Sequence, residues 1–199
     1  MAHKEPLEAH PVPPEDFNDR ELPTTTSGGP WYRLFSVERD PLYFTRSGRG
    51  RFDGPDLGYG IGYVGEDEYC AFIECYGRAH GAKGVEEAAL QQRELARIVS
   101  QRPLVLVDLL GNGLVKLGAD ARLSSGPYLV SRQWARAIWT HPSRVDGIRY
   151  RSRHDNTRIC CGLFDRAAQE LGIERLGTLP DCHRQLLAEI LAHYDYGLL

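Results

Sequence analysis

Apolar and polar positions alternate along much of this chain, and the period of the alternation assigns its elements. Trp31 to Val37 alternates with period two and predicts a strand with Trp31, Arg33, Phe35 and Val37 on one face. Leu42 to Thr45 suggests a second short strand. Residues 47 to 65 are rich in glycine, with an extended piece at Tyr59 to Val64 that puts Tyr59, Ile61 and Tyr63 on one face. Glu66 to Gly77 reads as a helix whose acidic first turn suits the helix dipole, and Glu86 to Val99 as a second helix. Pro103 to Leu110 is a Val and Leu strand expected to be covered on both faces. Val130 to Thr140 predicts a helix that Pro142 ends. Strands follow at Asp146 to Ser152 and Arg158 to Phe164, then a short helix at Arg166 to Leu171. A last helix starts near Asp181 as N-cap and carries the stripe Leu186, Leu187, Ile190, Leu191 and Tyr194. Strands and helices mix without a regular βαβ period, so the expected class is α+β.

Three polar residues break this pattern. Glu74 is the sole charged side chain between Tyr69 and Tyr76. Ser152 closes a run in which Ile148 and Tyr150 share its face while Arg149, Arg151 and Arg153 share the other. Arg33 sits on an apolar strand face. A carboxylate, a hydroxyl and a guanidinium turned toward a core are costly without partners or a ligand, and local rules tend to break at functional sites.

Composition adds boundaries. The 199 residues suffice for one core-bearing domain. Residues 1–28 are rich in Pro, Glu and Asp and predict an acidic, disordered lead-in, which leaves 29–199 as one folded unit with a C-terminal helix. A net charge of -3 provides no global basic field for direct nucleic-acid binding. Five cysteines without C-x-x-C spacing predict reduced thiols in a cytoplasmic protein and no zinc or other metal site. No apolar stretch approaches membrane-span length, and the first residues lack a signal peptide's apolar core.

Several motifs favour plain readings. Gly60-Ile61-Gly62-Tyr63-Val64-Gly65 matches G-x-G-x-x-G, but a turn-rich loop precedes it where a dinucleotide fingerprint needs a buried strand. Its glycines are read as sites of tight turns and close backbone approach. Cys182 and His183 are neighbours on a helix and point about 100° apart, so they do not form a nucleophile pair. His141 and His154 are read as ordinary loop histidines. Arg149, Arg151, Arg153 and Arg158 are read as a solvated strand face opposed by acids such as Asp155.

The order of short pieces resembles the RES domain family. The pieces are Trp31-Tyr32-Arg33, Ser47-Gly48-Arg49-Gly50-Arg51-Phe52, Gly62-Tyr63-Val64 with Glu74 eleven residues after Tyr63, Ser131-Arg132-Gln133-Trp134-Ala135, and Asp146 through Ser152. That resemblance implies an ADP-ribosyltransferase-like fold, a split, mostly antiparallel sheet with flanking helices, around a cleft for NAD+. It implies a toxin of a toxin–antitoxin pair that cleaves the nicotinamide–ribose bond by phosphorolysis or hydrolysis, with an Xre-like antitoxin protein as partner. NAD+ is then a substrate rather than a cofactor, and inorganic phosphate a candidate acceptor. A protein mono-ADP-ribosyltransferase and a non-catalytic antitoxin-binding module are the alternatives. Whether the chain forms a homo-oligomer is left open.

The residue chemistry suits that implication. Arg51 resembles the family's catalytic arginine, and Arg33 would be a second clamp on the pyrophosphate through paired charge-assisted hydrogen bonds. Tyr63, with Tyr32 beside Arg33, would bind substrate, Tyr63 by stacking on the nicotinamide ring. Glu74 would hold a ribose hydroxyl and stabilise the oxocarbenium-like ribose, and Ser152 would orient Glu74 or the nicotinamide amide.

Overall fold

The fold is described from a computed structural model, covering residues 11–54, 56, 58–77 and 83–199. The strands are β1 (Thr24–Ser27), β2 (Trp31–Ser36), β3 (Ile61–Gly65), β4 (Gly84–Val85), β5 (Arg93–Ser100), β6 (Leu104–Asp108), β7 (Gly147–Arg151), β8 (Ile159–Phe164), β9 (Leu171–Thr178) and β10 (Gly197–Leu198). The helices are α1 (Glu68–Tyr76), α2 (Glu87–Gln91), α3 (Gly113–Leu117), α4 (Arg122–Ser125), α5 (Tyr128–Thr140), α6 (Leu179–Cys182) and α7 (Arg184–Tyr194).

Eight strands form one sheet in the order β1-β6-β7-β8-β3-β2-β5-β9. Every pairing is antiparallel except β6 with β7. The fold is therefore α+β, with a mostly antiparallel sheet flanked by helices. The sheet is split. β2 pairs with β5 from Trp31↔Ile98 to Ser36↔Arg93, and β3 with β8 from Ile61↔Phe164 to Gly65↔Cys160. Yet β2 and β3 meet only at Tyr32↔Gly65. Strand edges that part leave room between them, and the candidate site lies there.

Three apolar clusters hold the halves. α5 buries Trp134, Ala135 and Ile138 against Val107, Ile148 and Phe164. α7 buries Leu187, Ile190 and Leu191 with Leu34, Phe72, Leu90 and Leu95. On the third, Trp31, Ile98, Leu106 and Leu163 pack together. Full burial of one such side chain is worth about 1.5–3 kcal/mol, so these clusters carry the fold.

Four expectations need correction. The acidic lead-in is ordered wherever it is described: β1 pairs with β6 from Thr24↔Val107 to Ser27↔Leu104, and Phe17 and Leu22 are buried. The Trp134 indole N–H donates to the Pro11 carbonyl at 2.8 Å. Two apolar anchors outweigh the polar composition around them; residues 1–10 of that expectation lie outside the described residues. The helix expected at Glu86 to Val99 stops at Gln91 and gives way to β5. Glu94, Leu95 and Ala96 favour helix locally, but pairing with β2 on one side and β9 on the other overrides propensity. Leu42 to Thr45 makes only an isolated bridge, Thr45↔Ile61. The final helix does not start at Asp181: Thr178 caps α6, its hydroxyl accepting from the Asp181 N–H at 3.3 Å, and α7 follows.

Cys70, Cys160 and Cys161 are buried free thiols, and Cys182 is exposed. Among the described residues, no helix is long and apolar enough to cross a membrane.

Candidate active site

A cavity of about 320 Å³ opens where β2 and β3 diverge. Its lining includes Tyr32, Arg33, Arg51, Tyr63 and Glu74, five of the six residues singled out in the sequence. Ser152 stands behind Glu74.

α1 carries Glu74. Asp67 caps it by accepting from the Cys70 N–H at 2.7 Å, and Cys70, Ala71, Phe72 and Ile73 are buried. A Cβ on Gly65 would come within 2.7 Å of the Cys70 Cβ, so glycine lets α1 start against β3. This is the close-approach role read from the glycine motif, and the residue approached, Cys70, lies one turn before Glu74. Glu74 faces the cavity from the helix, half-buried.

Ser152 follows β7 and is 3 % exposed. Its hydroxyl accepts from the backbone N–H groups of His154 at 3.1 Å and Asp155 at 3.2 Å. With its lone pairs so engaged, its hydrogen is donated to Glu74 Oε1, at 2.6 Å. Ser152 thus acts on the cavity through the carboxylate.

Arg51 reaches the cavity from the glycine-rich loop and is held from α4 and α5. Its Nη1 donates to the Gly126 carbonyl at 2.8 Å and to Ser131 Oγ at 3.2 Å, and its guanidinium lies 4.6 Å from the Tyr128 ring centroid. Its Nη2 has no hydrogen-bond partner. Burial lowers the Arg51 pKa, an effect that Tyr128 opposes. Arginine stays protonated in proteins, so the group remains a cation.

Arg33 lines the cavity, but its Nη1 already donates to the carbonyls of Pro41 at 3.2 Å and Tyr43 at 2.9 Å. It braces the 41–43 segment, and burial lowers its pKa too. The Tyr63 hydroxyl donates to Asp53 Oδ1 at 2.8 Å and accepts from the Phe52 N–H at 2.9 Å. Burial, then the adjacent Asp53, pushes this phenol well above its ordinary pKa and keeps it neutral. Tyr32 contributes part of the wall and packs on the α1–α7 cluster.

Sequence reasoning passed over Asp53, Tyr128 and Arg93, and took Arg153 only as part of a solvated strand face. Arg93 on β5 and Arg153 beside Ser152 both line the cavity. Arg33, Arg51, Arg93 and Arg153 face one carboxylate, Glu74, so the lining is cationic and suits an anionic ligand. The basic cluster mostly follows its plain reading. Arg149 pairs with Glu66 at 2.6 Å, Arg158 with Asp67 at 2.6 Å, and Arg151 Nη1 donates to the Asn156 carbonyl at 2.7 Å. Arg153 is exposed as that reading has it, but it lines the cavity and is opposed by no acid among the described residues. Its signal was its place in the motif, directly after Ser152.

Of the loop and helix histidines read from the sequence, His154 lines the cavity, and His141 and His183 have structural partners. His141 is buried, its Nδ1 accepting from the Ser143 N–H at 3.1 Å and its Nε2 facing the Arg20 carbonyl at 3.1 Å. His183 Nε2 faces the Leu176 carbonyl at 2.9 Å, between α6 and α7.

Comparison with known proteins gives a consistent picture. The family model described as the RES domain matches residues 30–184. A curated relative from Sinorhizobium fredii (strain NBRC 101917 / NGR234), described as "Probable toxin y4kH", is 37% identical over 127 residues, covering 61% of this chain and 98% of its own. Among solved structures, the M. tuberculosis MbcT–MbcA toxin–antitoxin complex contains a chain that matches with a TM-score of 0.63. The two are 17% identical, and the match covers 85% of this chain and 92% of that one, a likeness of fold.

Proposed function

The chain belongs to the RES domain family, and from that premise we propose that it is the toxin of a toxin–antitoxin pair and acts by breaking the nicotinamide–ribose bond of NAD+. The observation that carries the reading is the Glu74 carboxylate, held by Ser152 at 2.6 Å and turned into a cavity whose charged lining is otherwise arginine.

The chemistry follows from charge. The pyrophosphate is anionic and meets Arg51 and Arg153, while the cationic nicotinamide is a good leaving group once its bond to ribose stretches. As it stretches, positive charge builds at the ribose C1 and ring oxygen. A fixed carboxylate beside that carbon is stabilising without reorganising, the kind of effect worth several kcal/mol in a water-poor site. Ser152 supplies the fixing. Both electrons of the broken bond leave on the ring nitrogen, which gives neutral nicotinamide, and an acceptor then adds to the cationic C1: phosphate, water or a protein side chain.

An antitoxin partner follows from the same premise. The fold resembles that of a chain in the MbcT–MbcA toxin–antitoxin complex, and the partner expected here is an Xre-like protein.

The test is release of free nicotinamide from NAD+ by purified protein, with and without phosphate. Rapid release by wild type and none by Glu74→Ala supports the reading. Equal rates for the two overturn it. Dependence on phosphate identifies phosphorolysis, and label moving from NAD+ onto a lysate protein identifies ADP-ribosyl transfer.

A further inference from the structure

Asp53 is fully buried, and no lysine or arginine pairs with it among the described residues. Its carboxylate is satisfied by three donors instead. Oδ1 accepts from the Tyr63 hydroxyl at 2.8 Å, and Oδ2 accepts from Ser47 Oγ and from the Arg49 N–H, both at 3.1 Å. A buried carboxylate held only by neutral donors is an expensive object, and a core would be cheaper without it.

The three donors sit at telling places. Ser47 and Arg49 belong to the loop that presents Arg51, and Tyr63 stands on β3 in the cavity wall. The same phenol receives the Phe52 N–H at 2.9 Å, so the residues on both sides of Arg51 are tied to one carboxylate–phenol unit. Gly50 passes directly over it. A Cβ there would collide with Asp53 Oδ1 and Tyr63 Oη, and the Gly50 carbonyl is held from the other side by Arg132 Nε at 3.0 Å. The loop is thus clamped between Asp53 beneath and α5 above, with Arg51 at the clamp's tip.

We propose that Asp53 is a positioning residue for NAD+ cleavage: through Tyr63 and the 47–52 loop it fixes where Arg51 stands relative to Glu74. This rests on the functional reading above. It assigns the cost of a buried carboxylate to preorganisation of the site, since a small misplacement of a catalytic group can cost about a hundredfold in rate.

The experiment compares wild type, Asp53→Asn, Tyr63→Phe and the double variant in nicotinamide release. An amide at 53 has one acceptor oxygen where the carboxylate has two, so at least one of the three donors loses its acceptor while the side chain keeps its size. For folded Asp53→Asn, kcat should fall about tenfold to a hundredfold with KM changed less than about threefold. Because part of the Asp53 effect runs through Tyr63, the double variant should lose less than the product of the two single losses. A folded Asp53→Asn with wild-type kcat overturns the proposal, as do two losses that simply multiply. If Asp53→Asn does not fold, Ser47→Ala carries the test. It removes one donor to Asp53 outside the cavity, and kcat should fall about threefold or more; an unchanged kcat overturns the proposal.

A wild type that consumes no NAD+ sinks the functional reading and not the clamp. The clamp is then read from isotopically labelled tyrosine Cζ resonances, with Tyr63 assigned by its loss in Tyr63→Phe. That resonance should move in Asp53→Asn, and an unmoved resonance overturns the clamp.

Discussion

Ser152 donates its hydroxyl hydrogen to Glu74 across 2.6 Å, joining the end of β7 to the cavity side of α1. Neither residue explains itself alone: a serine buried at a strand end and a glutamate in an apolar helical run both become economical once paired.

That pair gives the first prediction. Glu74→Gln keeps size and removes charge, and kcat for nicotinamide release should fall about a hundredfold to a thousandfold. Ser152→Ala leaves the charge but not its direction, so kcat should fall about tenfold to a hundredfold with little change in KM. Circular dichroism should show both variants folded.

Arg51→Lys tests the guanidinium. Lysine has no planar fork to serve Gly126 and Ser131 while presenting a second face to a phosphate. Loss of one charge-assisted hydrogen bond, about 1.5 kcal/mol, should weaken ADP-ribose binding about tenfold by calorimetry. Undiminished affinity would remove Arg51 from the phosphate site.

Arg153→Gln should raise KM and flatten its dependence on salt, whereas Arg151→Gln should do neither. Arg153 lines the cavity, and Arg151 is spent on the Asn156 carbonyl. KM measured across ionic strength separates them; identical curves for both variants would deny Arg153 its role.

Phe17 tests the correction to the lead-in. Its ring packs edge-on to Trp134 and to His141, with centroids 5.5 Å apart in each case. Phe17→Ala should cost about 3 kcal/mol, or about 6–12 °C in Tm. A disordered segment would show no loss.

Acid should act through Asp146. Burial raises its pKa, but hydrogen bonds from Arg102, both at 2.8 Å, and from the Val105 N–H more than offset this and leave it below the ordinary value. A carboxyl depressed in the fold contributes stability that is full above its unfolded pKa of about 4 and lost as pH falls through the folded one. Thermal melts between about pH 6 and pH 3 should show Tm falling more in wild type than in Asp146→Asn.

Much of the candidate site was legible because polar residues interrupt apolar periods. Glu74, Ser152 and Arg33 were found that way, and the structure puts Glu74 and Arg33 in one cavity with Ser152 behind. Arg33 was read as a free clamp because a sequence does not say which carbonyls will claim a guanidinium. Asp53 was hidden among the Gly, Pro and Asp of a loop, where an aspartate normally signals a turn. The strands at β2 and β7 stand where alternation put them, and β8 is a run of apolar residues buried almost throughout. β5 departs from the helix expected there, because its state is set by two neighbours distant in sequence, and β9 was missed because its glycines and charges suit an edge strand with an irregular partner.

The lone Tyr32↔Gly65 contact makes the cavity floor a seam between two banks of sheet. Arg33 and Arg93 stand on one bank, Tyr63 on the other, and α1 bridges from β3 to rest on β2. A molecule long enough to touch both banks works as a stitch and adds its own binding energy to their cohesion. A fragment that reaches one bank only leaves the seam as weak as it found it.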